Sequence, residues 1–521
     1  MSTANIIKQL KKGYAPEFLI ECNFNGFYDR IAKRDVSFSD RQFKGLLKND
    51  ITYSTTFSFD NFQYSIGSIS IRRDNTDRFQ DQEIQHRLDG GICTVYLWCE
   101  GLTWADISTD GIILKGTFEK TEHNVSIFQY RINDFSKNDK KSLLPKLFIT
   151  DDTWPLHRKF GGAGSVSGNP VPLVFGDFPG GVKCQCVDWY TDFLYLVMSG
   201  VSKSVDADFT ALTENLYDAD GIVINAGNYT LTQGVDSLGN PSTWITLNGN
   251  YASEEPLSCS IRGLTDGSGE YTGTAGTLIE HPADILAYLS DIFSGTGSYI
   301  DTETFKSMKV KYPSVKMATA ITEQADLDSI SQRIMSQLNC AVLPRIGGGH
   351  GLMIFDPDRG ASGRLNQDRK NFKEKSTFKK TAERLIYNNL TIQYHLNHST
   401  GQFEKEILRN KENNPDCLQS YIQYGFEYEK TIVLPDVYED TTAELVANNY
   451  VTVFAFRHDI ISRPELYYDA FSFQEGDVIE ITDTDGTSSD GGGWVNEPCI
   501  LIEKKYKKNV INHTLWRIDS A

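Results

Sequence analysis

Two histidines three positions apart, His395 and His398 in "QYHLNHST", are the first place in this sequence to look for a metal ion. The alternation around them reads as a strand, where side chains three apart point to opposite faces and cannot meet one ion. Cys184 and Cys186 do share a face, but no second pair stands at zinc-site spacing, so they read as core thiols. The run "RIGGGHG" (345–351) lacks the Lys-Ser/Thr that completes a phosphate cradle, and no helical pattern follows it; it reads as a hairpin turn. "DTDGTSSDGGGW" (483–494) is acidic enough for calcium, but Trp494 stands at the twelfth position, where a calcium loop needs a bidentate Glu. A hairpin loop is the plainer reading, with calcium left open. The basic stretch "RKNFKEKSTFKKTAER" (369–384) interleaves Phe372 and Phe378 with cations, which suits either nucleic acid or a solvated lead-in to a strand. No HExxH or GxSxG occurs. Carboxylates are plentiful enough for an acid–base pair of the glycosidase kind, yet nothing singles one out. The sequence therefore assigns no catalytic, cofactor-binding or metal-ligating residue, and no cofactor.

The positioning elements carry more information. The 521 residues suffice for three or four domains, and the 40% hydrophobic and 23% charged fractions are those of a folded chain. Aromatics at 12%, with 25 Tyr and 29 Phe, tilt the expectation towards β structure. A net charge of −18 argues against a general nucleic-acid binder; it suits ordinary solubility, or a surface that nucleic acid must pass without sticking. Nine cysteines lie between Cys22 and Cys499 without framework spacing, and the opening residues lack the apolar core of a secretory signal. Reduced thiols and folding in a cytoplasm are expected. No apolar run reaches the length of a membrane span.

Residues 1–14 read as an N-terminal arm. From 15 to 141 the segments "EFLIECNF", "ITYSTTFSF", "YSIGSISIRR", "CTVYLWCEG", "GIILKGTFEK" and "VSIFQYRIND" show period-two alternation, and a closed antiparallel barrel would hide their edges. Residues 142–168 form an irregular linker. The stiff "GNPVPLVFGDFPGG" (168–181) then leads into a second β domain, 169–274, because its prolines force extended geometry. A small α/β domain follows over 275–365. It has helices at 281–295, with Pro282 in the first turn, and at 322–340, then strands at "AVLPRI" and "GLMIFD". Residues 376–521 return to strands, "QSYIQYGFEYEKTIV" among them, with a helix inserted at 441–457 where Thr441 and Glu444 have capping-box spacing. One echo stands out: Glu119-Lys120, Asn124-Val125 and Arg131-Ile132 recur as Glu503-Lys504, Asn509-Val510 and Arg517-Ile518. Two related barrels or the general likeness of hairpins would each produce it.

In this order the elements resemble a phage tail baseplate hub, or tail-tip protein, over about 15–521. "YSIGSISI", "TVYLWCEG" and "GIILKGTFEKTEHNVSIFQYRIND" are similar to that family's first barrel, and "GNPVPLVFGDFPG" to the lead-in of its next β domain. "HPADILAYLSD" resembles the helix that follows, and "TEQADLDSISQRIMSQLNCAVLPR…GLMIFD" a helix–strand–strand unit. "IQYGFEYEKTIVLPDVYEDTTAELVANNYVTVFAFR…YYDAFSFQEGDVIEITDTDG" resembles the second barrel.

The resemblance implies a mainly β fold with α+β parts: two tail-tube-like antiparallel β-barrels, a smaller β domain and a small α/β unit. It implies a structural, non-enzymatic homotrimer whose six barrels form a pseudo-six-fold ring. That ring would join a hexameric tail tube, or distal tail protein, to a three-fold central fibre, spike or receptor-binding protein. The channel would hold a tape measure protein and pass phage DNA without specific binding. The location implied is the virion tail tip, assembled in the host bacterial cytoplasm, with no membrane insertion by this chain. The chain stops at Ala521, so fibre and receptor-binding functions are expected on another polypeptide. A host-binding adhesin and a cell-wall hydrolase on the same scaffold are the alternatives.

Overall fold

The computed structural model describes residues 2–59, 62–134, 143–154, 166–188, 193–200, 215–218, 220–248, 257–294, 300–344, 350–355, 360–366, 376–398, 400–486, 493–507 and 510–517. The fold is mainly β, with two curled sheets that carry its architecture. The chain divides into two compact units. The first comprises Met1–Asn138, Asn339–Ile386 and Phe456–Ala521; the second comprises Asp139–Leu338 and Tyr387–Ala455.

In the first unit one sheet runs in the order Phe27–Ile31, Glu17–Phe24, Ile92–Trp98, Ile112–His123, Ile127–Asp134, Ile69–Asp74. Its inward positions follow the alternation of the sequence: Ile69 and Ile71 are buried, as are Phe128, Tyr130 and Ile132. Segment 44–48 ties both edges of this sheet. Lys44 N–H donates to the Arg30 carbonyl at 3.0 Å, and Leu47 N–H to Ala32 at 2.9 Å. On the far edge Lys48 N–H donates to Arg72 at 2.8 Å, and Asp74 N–H to Leu46 at 2.8 Å. These bonds cover part of both edges of the sheet.

A second sheet runs Gly363–Asn366, Val478–Asp483, Trp494–Tyr506, Val510–Arg517, Asp459–Leu466, Thr377–Lys380. Four strands of each sheet share one connectivity. In the first, 69–74 precedes the consecutive neighbours 92–98, 112–123 and 127–134 and lies beside the last of them. In the second, 459–466 stands in the same relation to 478–483, 494–506 and 510–517. This is Greek-key order run from its other end, used twice. The sequence echo falls on the matching hairpins, but not residue by residue. Arg131 lies opposite Glu119, whereas Arg517 lies opposite Cys499, and Asn509 and Ile518 fall outside the described residues.

The hairpin Tyr53–Ser58/Gln63–Ile66 joins the second sheet, with Tyr53 opposite Tyr506 and Ser54 opposite Lys505. Phe57, Phe59 and Phe62 bring an aromatic face to Phe355 and Trp516, with ring centroids 4.7 to 5.5 Å apart where Phe59 meets Trp516 and Phe57 and Phe62 meet Phe355. The expected arm is instead a helix, Ser2–Lys11, because its apolar residues fall on one face. Ile6 and Leu10 enter the first unit's core, and Thr3 and Asn5 bond to Asp110 and Asp106.

Cysteine chemistry also departs from expectation. Cys22 and Cys93 are joined in a disulfide, since the register of 17–24 on 92–98 sets them directly opposite. No sequence spacing shows that pairing, as 71 positions separate them. The seven other cysteines are buried and in no disulfide.

The second unit holds two four-stranded antiparallel sheets. One is 185–188, 194–199, 241–247, 229–235; the other is 177–183, 258–262, 216–217, 223–224. Helices Pro282–Ser294, Thr302–Lys311 and Leu327–Ser336 follow. A three-stranded sheet, Gln402–Arg409, Asn389–Asn397, Glu429–Leu434, places Leu390 and Ile392 on the face that helix Asp440–Phe454 also packs against. The stretch 387–455 therefore groups with 139–338 rather than with a barrel running over 376–521, while strands 340–344, 350–354 and 363–366 lie in the barrel unit. Strand pairing between distant segments sets these boundaries, and local composition does not reveal it. The helix expected at 441–457 begins at Asp440 with Glu439 as its cap residue. Thr441 thus lies inside the helix, and Glu444 pairs with Arg409 instead of closing a capping box. "QSYIQYGFEYEKTIV" (419–433), expected to be strand, is strand only from Glu429; its first six residues close the helix Pro415–Tyr424, which is capped by the Asn414 side chain and ended by Gly425 at φ 75°.

Asp266 organises the loop ahead of these helices. It is 2% exposed, and its carboxylate accepts from the backbone N–H groups of Gly269, Tyr271 and Thr272 at 2.9, 2.8 and 2.8 Å. Burial pushes its pKa up, but the donated bonds outweigh that and hold it below the usual value. Asp266→Ala leaves several donors without a partner and is expected to cost about 3 kcal/mol in a urea titration of the intact chain.

His281 opens the helix at 282–294. Its Nδ1 accepts from Ala283 N–H at 3.2 Å, so the proton sits on Nε2, which donates to the Tyr312 carbonyl at 3.0 Å. Burial lowers its pKa to about 4 from 6.5. A base depressed on folding leaves the unfolded chain the better proton binder. Stability is therefore fully present above pH 6.5 and falls towards about pH 4, by about 3 kcal/mol in total. Thermal unfolding across that window should show the slope in the wild type and lose it in His281→Asn.

Candidate functional site

A cleft of about 500 Å³ lies within the second unit. Its walls come from three parts of the chain: the sheet with Asp177 and Arg262, the segment with Glu280 and Lys316, and the stretch with His395, Lys405, Tyr438 and Asp440. Its three Lys and Arg side chains each pair with an acid of the cleft. Arg262 Nε lies 3.2 Å from Asp177, Lys316 Nζ 3.1 Å from Glu280, and Lys405 Nζ 2.7 Å from Asp440. The Lys405 bond, aided by Tyr394 Oη at 3.1 Å, holds the Asp440 carboxyl below its usual range. Asp440 also stands in the first turn of helix 440–454, where the helix dipole favours a negative charge. The hydrogen bond that Lys316 donates to Glu280 raises the Lys316 pKa, while burial and the neighbouring Asp440 push Tyr394 up to about 12. Ser260 Oγ accepts from Asn215 N–H at 2.7 Å. The arrangement fastens segments together.

The two histidines both contact Tyr438. His395 adopts φ 60°, which breaks the alternation, and the strand ends two residues later at Asn397. His398 Nε2 then reaches Tyr438 Oη at 2.8 Å, while His395 Nδ1 lies 3.3 Å from the Tyr438 carbonyl. Burial lowers the His398 pKa and raises that of Tyr438. Nothing in the sequence links Tyr438 to these histidines. The parallel pairing of 389–397 with 429–434 makes the link. Among the described residues no group of three or more His, Cys, Asp or Glu could hold a metal ion.

The remaining motifs are structural where they are described. Cys184 and Cys186 are buried thiols, with burial pushing Cys186 up to about 12. Residues 345–349 fall outside the described residues; the strands on either side, 340–344 and 350–354, pair antiparallel. Residues 487–492 of the acidic loop also fall outside, but Asp483 is fully buried, accepting from Ser376 Oγ at 2.7 Å and lying 3.6 Å from Arg463. Phe372 falls outside as well, while Phe378, partly buried, packs against the core and meets Trp494 edge-on at 5.2 Å. No described helix is long and apolar enough to cross a membrane.

The second candidate is the unit that carries both curled sheets. Its open edge strand Thr377–Lys380 carries exposed Lys379, and Lys380 pairs with Asp459 at 2.8 Å. Such charges discourage indiscriminate strand pairing.

No family model matches the chain, and no curated protein matches it. Among solved structures it is similar to a tail protein from Neisseria meningitidis MC58, at 7% identity and a TM-score of 0.42, covering 96% of this chain and 97% of that one. It is similar to a chain of a native gene transfer agent virion, at 9% identity and a TM-score of 0.44, covering 68% and 85%. It is also similar to the 43 kDa tail protein of prophage MuSo2 from Shewanella oneidensis, at 8% identity and a TM-score of 0.39, covering 97% and 99%.

Proposed function

We propose that this chain is a structural hub of a bacteriophage tail. Three copies, each giving two barrels, would form a pseudo-six-fold ring between a hexameric tail tube and a three-fold fibre or spike. The observation that carries this reading is the repeated four-strand connectivity within one unit. A chain with two like barrels converts three-fold symmetry into six near-equivalent positions, which is what a junction between a six-fold and a three-fold body requires. The pairing of charges in the cleft favours a structural role over a hydrolase. The ring would line part of the DNA channel, and the chain's net charge of −18 would let DNA slide past without sticking. The tail tube or distal tail protein would dock on one side and the fibre, spike or receptor-binding protein on the other, with a tape measure protein in the bore. In this reading the chain is a virion component assembled in the host cytoplasm. Co-sedimentation with polymerised tail-tube protein tests it: the chain should pellet with tubes and stay soluble alone. Failure to pellet under any tube-forming condition would overturn it.

A further inference from the structure

Register places Lys504, His513 and Arg463 in one row across the three strands 494–506, 510–517 and 459–466. All three are buried, at 3%, 0% and 7% exposure. The two cations have partners. Lys504 Nζ donates to the Phe473 carbonyl at 2.6 Å and faces the Tyr506 ring at 5.1 Å. Arg463 pairs with Glu465 and lies 3.6 Å from Asp483. The imidazole between them has none: both Nδ1 and Nε2 are buried without a hydrogen bond, and the Phe473 ring lies 6.3 Å away.

The charged groups around this row come from every neighbouring element. Strand 494–506 supplies Lys504, strand 459–466 supplies Arg463 and Glu465, and strand 478–483 supplies Asp483. Glu475 and Asp477 act on Lys504 from the loop before that strand, and Glu475 also accepts from Thr55 Oγ1 at 2.9 Å. The acids are thus engaged by Arg463, Ser376, Lys504 and Thr55, and the charges that act on His513 are those of Lys504 and Arg463. A proton on His513 would place a third positive charge beside two fixed ones, fully desolvated, which a closed sheet cannot accommodate. The first sheet has no such row. There Phe118, Ile132 and Ile69 pair across the strands, all buried and apolar.

We propose that His513 makes the second sheet an acid-labile element, so that proton uptake parts strand 510–517 from its neighbours while the first sheet stays closed. Burial together with Lys504 and Arg463 keeps the His513 pKa well below its ordinary 6.5, so the closed sheet favours the neutral ring. Opening restores an ordinary imidazole. The open population should then rise about 30-fold between neutral pH and about pH 5, the factor by which an ordinary histidine favours its proton there.

Hydrogen exchange of the full chain by mass spectrometry, corrected for intrinsic exchange rates, tests this. Protection of strands 494–506 and 510–517 should fall about 30-fold from about pH 7.5 to about pH 5, with strands 112–123 and 127–134 unchanged. His513→Leu should abolish that fall. An equal fall in both sheets, no fall in the second, or the same fall in His513→Leu would each overturn the proposal. If His513→Leu does not fold, the contrast between the two sheets of the wild type decides.

Discussion

Trp516→Ala is expected to destabilise the first unit by about 3–5 kcal/mol, the range for emptying a large aromatic site in a core. Trp516 is 1% exposed, with Phe59 at 4.7 Å and Phe355 at 4.9 Å, both edge-on. Those rings belong to the 53–66 hairpin and to the residue following strand 350–354, so this one side chain holds two insertions against the second sheet. Its indole Nε1 has no hydrogen-bond partner, so the cost is one of packing. Trp516→Phe should therefore retain most of the stability and lose no more than about 2 kcal/mol. Urea titration of both variants gives the comparison. A loss below about 1 kcal/mol for Trp516→Ala would mean that the hairpin is held by its backbone pairing alone.

Arg73→Met should cost a similar amount in the first sheet, about 3–5 kcal/mol, because it strands a buried carboxylate. Arg73 points inward from strand 69–74. Its guanidinium donates to Asp29 at 2.9 and 3.1 Å and to Asp77 at 2.7 and 2.7 Å, while lying 4.3 Å over the Phe79 ring. Burial already raises the Asp29 pKa, and Arg73 is the main group opposing it. Without Arg73 the folded state holds Asp29 protonated to higher pH than the unfolded chain does. A carboxyl raised on folding loses stability as pH rises, so the deficit of Arg73→Met should be largest at neutral pH and shrink on acidification. Adding Asp29→Asn should recover part of the loss at neutral pH. Equal deficits across the pH range would show that the pair acts through packing alone.

The first barrel was legible in the sequence because one face of each strand is core and the other is not, as in "YSIGSISIRR", where Ile69, Ile71 and Arg73 turn inward. Arg73 itself was not readable as an interior group, since its partner Asp29 comes from a strand at the other end of the sheet. The helix over 282–294 showed itself through Ile285, Leu286 and Leu289, all buried. The helix over 415–424 did not, because its pattern is inverted. Ser420 is fully buried, bonding to the Ala455 carbonyl and to Asn388, while Leu418 and Ile422 are 43% and 65% exposed. Apolar periodicity locates a core, and here it points away from one. The unit boundaries were hidden for a different reason. Strand 363–366 pairs in parallel with 478–483, so a piece of the second sheet precedes the inserted 387–455 stretch. No local composition marks that. The cleft was equally silent, since Asp177–Arg262 and Glu280–Lys316 are ordinary charges until the fold brings them together.

The central claim is that two like barrels in one chain serve a three-fold ring. Native mass spectrometry with negative-stain class averages, on the protein alone and with its tail-tube partner, addresses it most directly. The expected result is a species of three chains with a central opening and six similar lobes around it. A species that stays monomeric even with the tube partner, or a ring whose chain number is not a multiple of three, would contradict it.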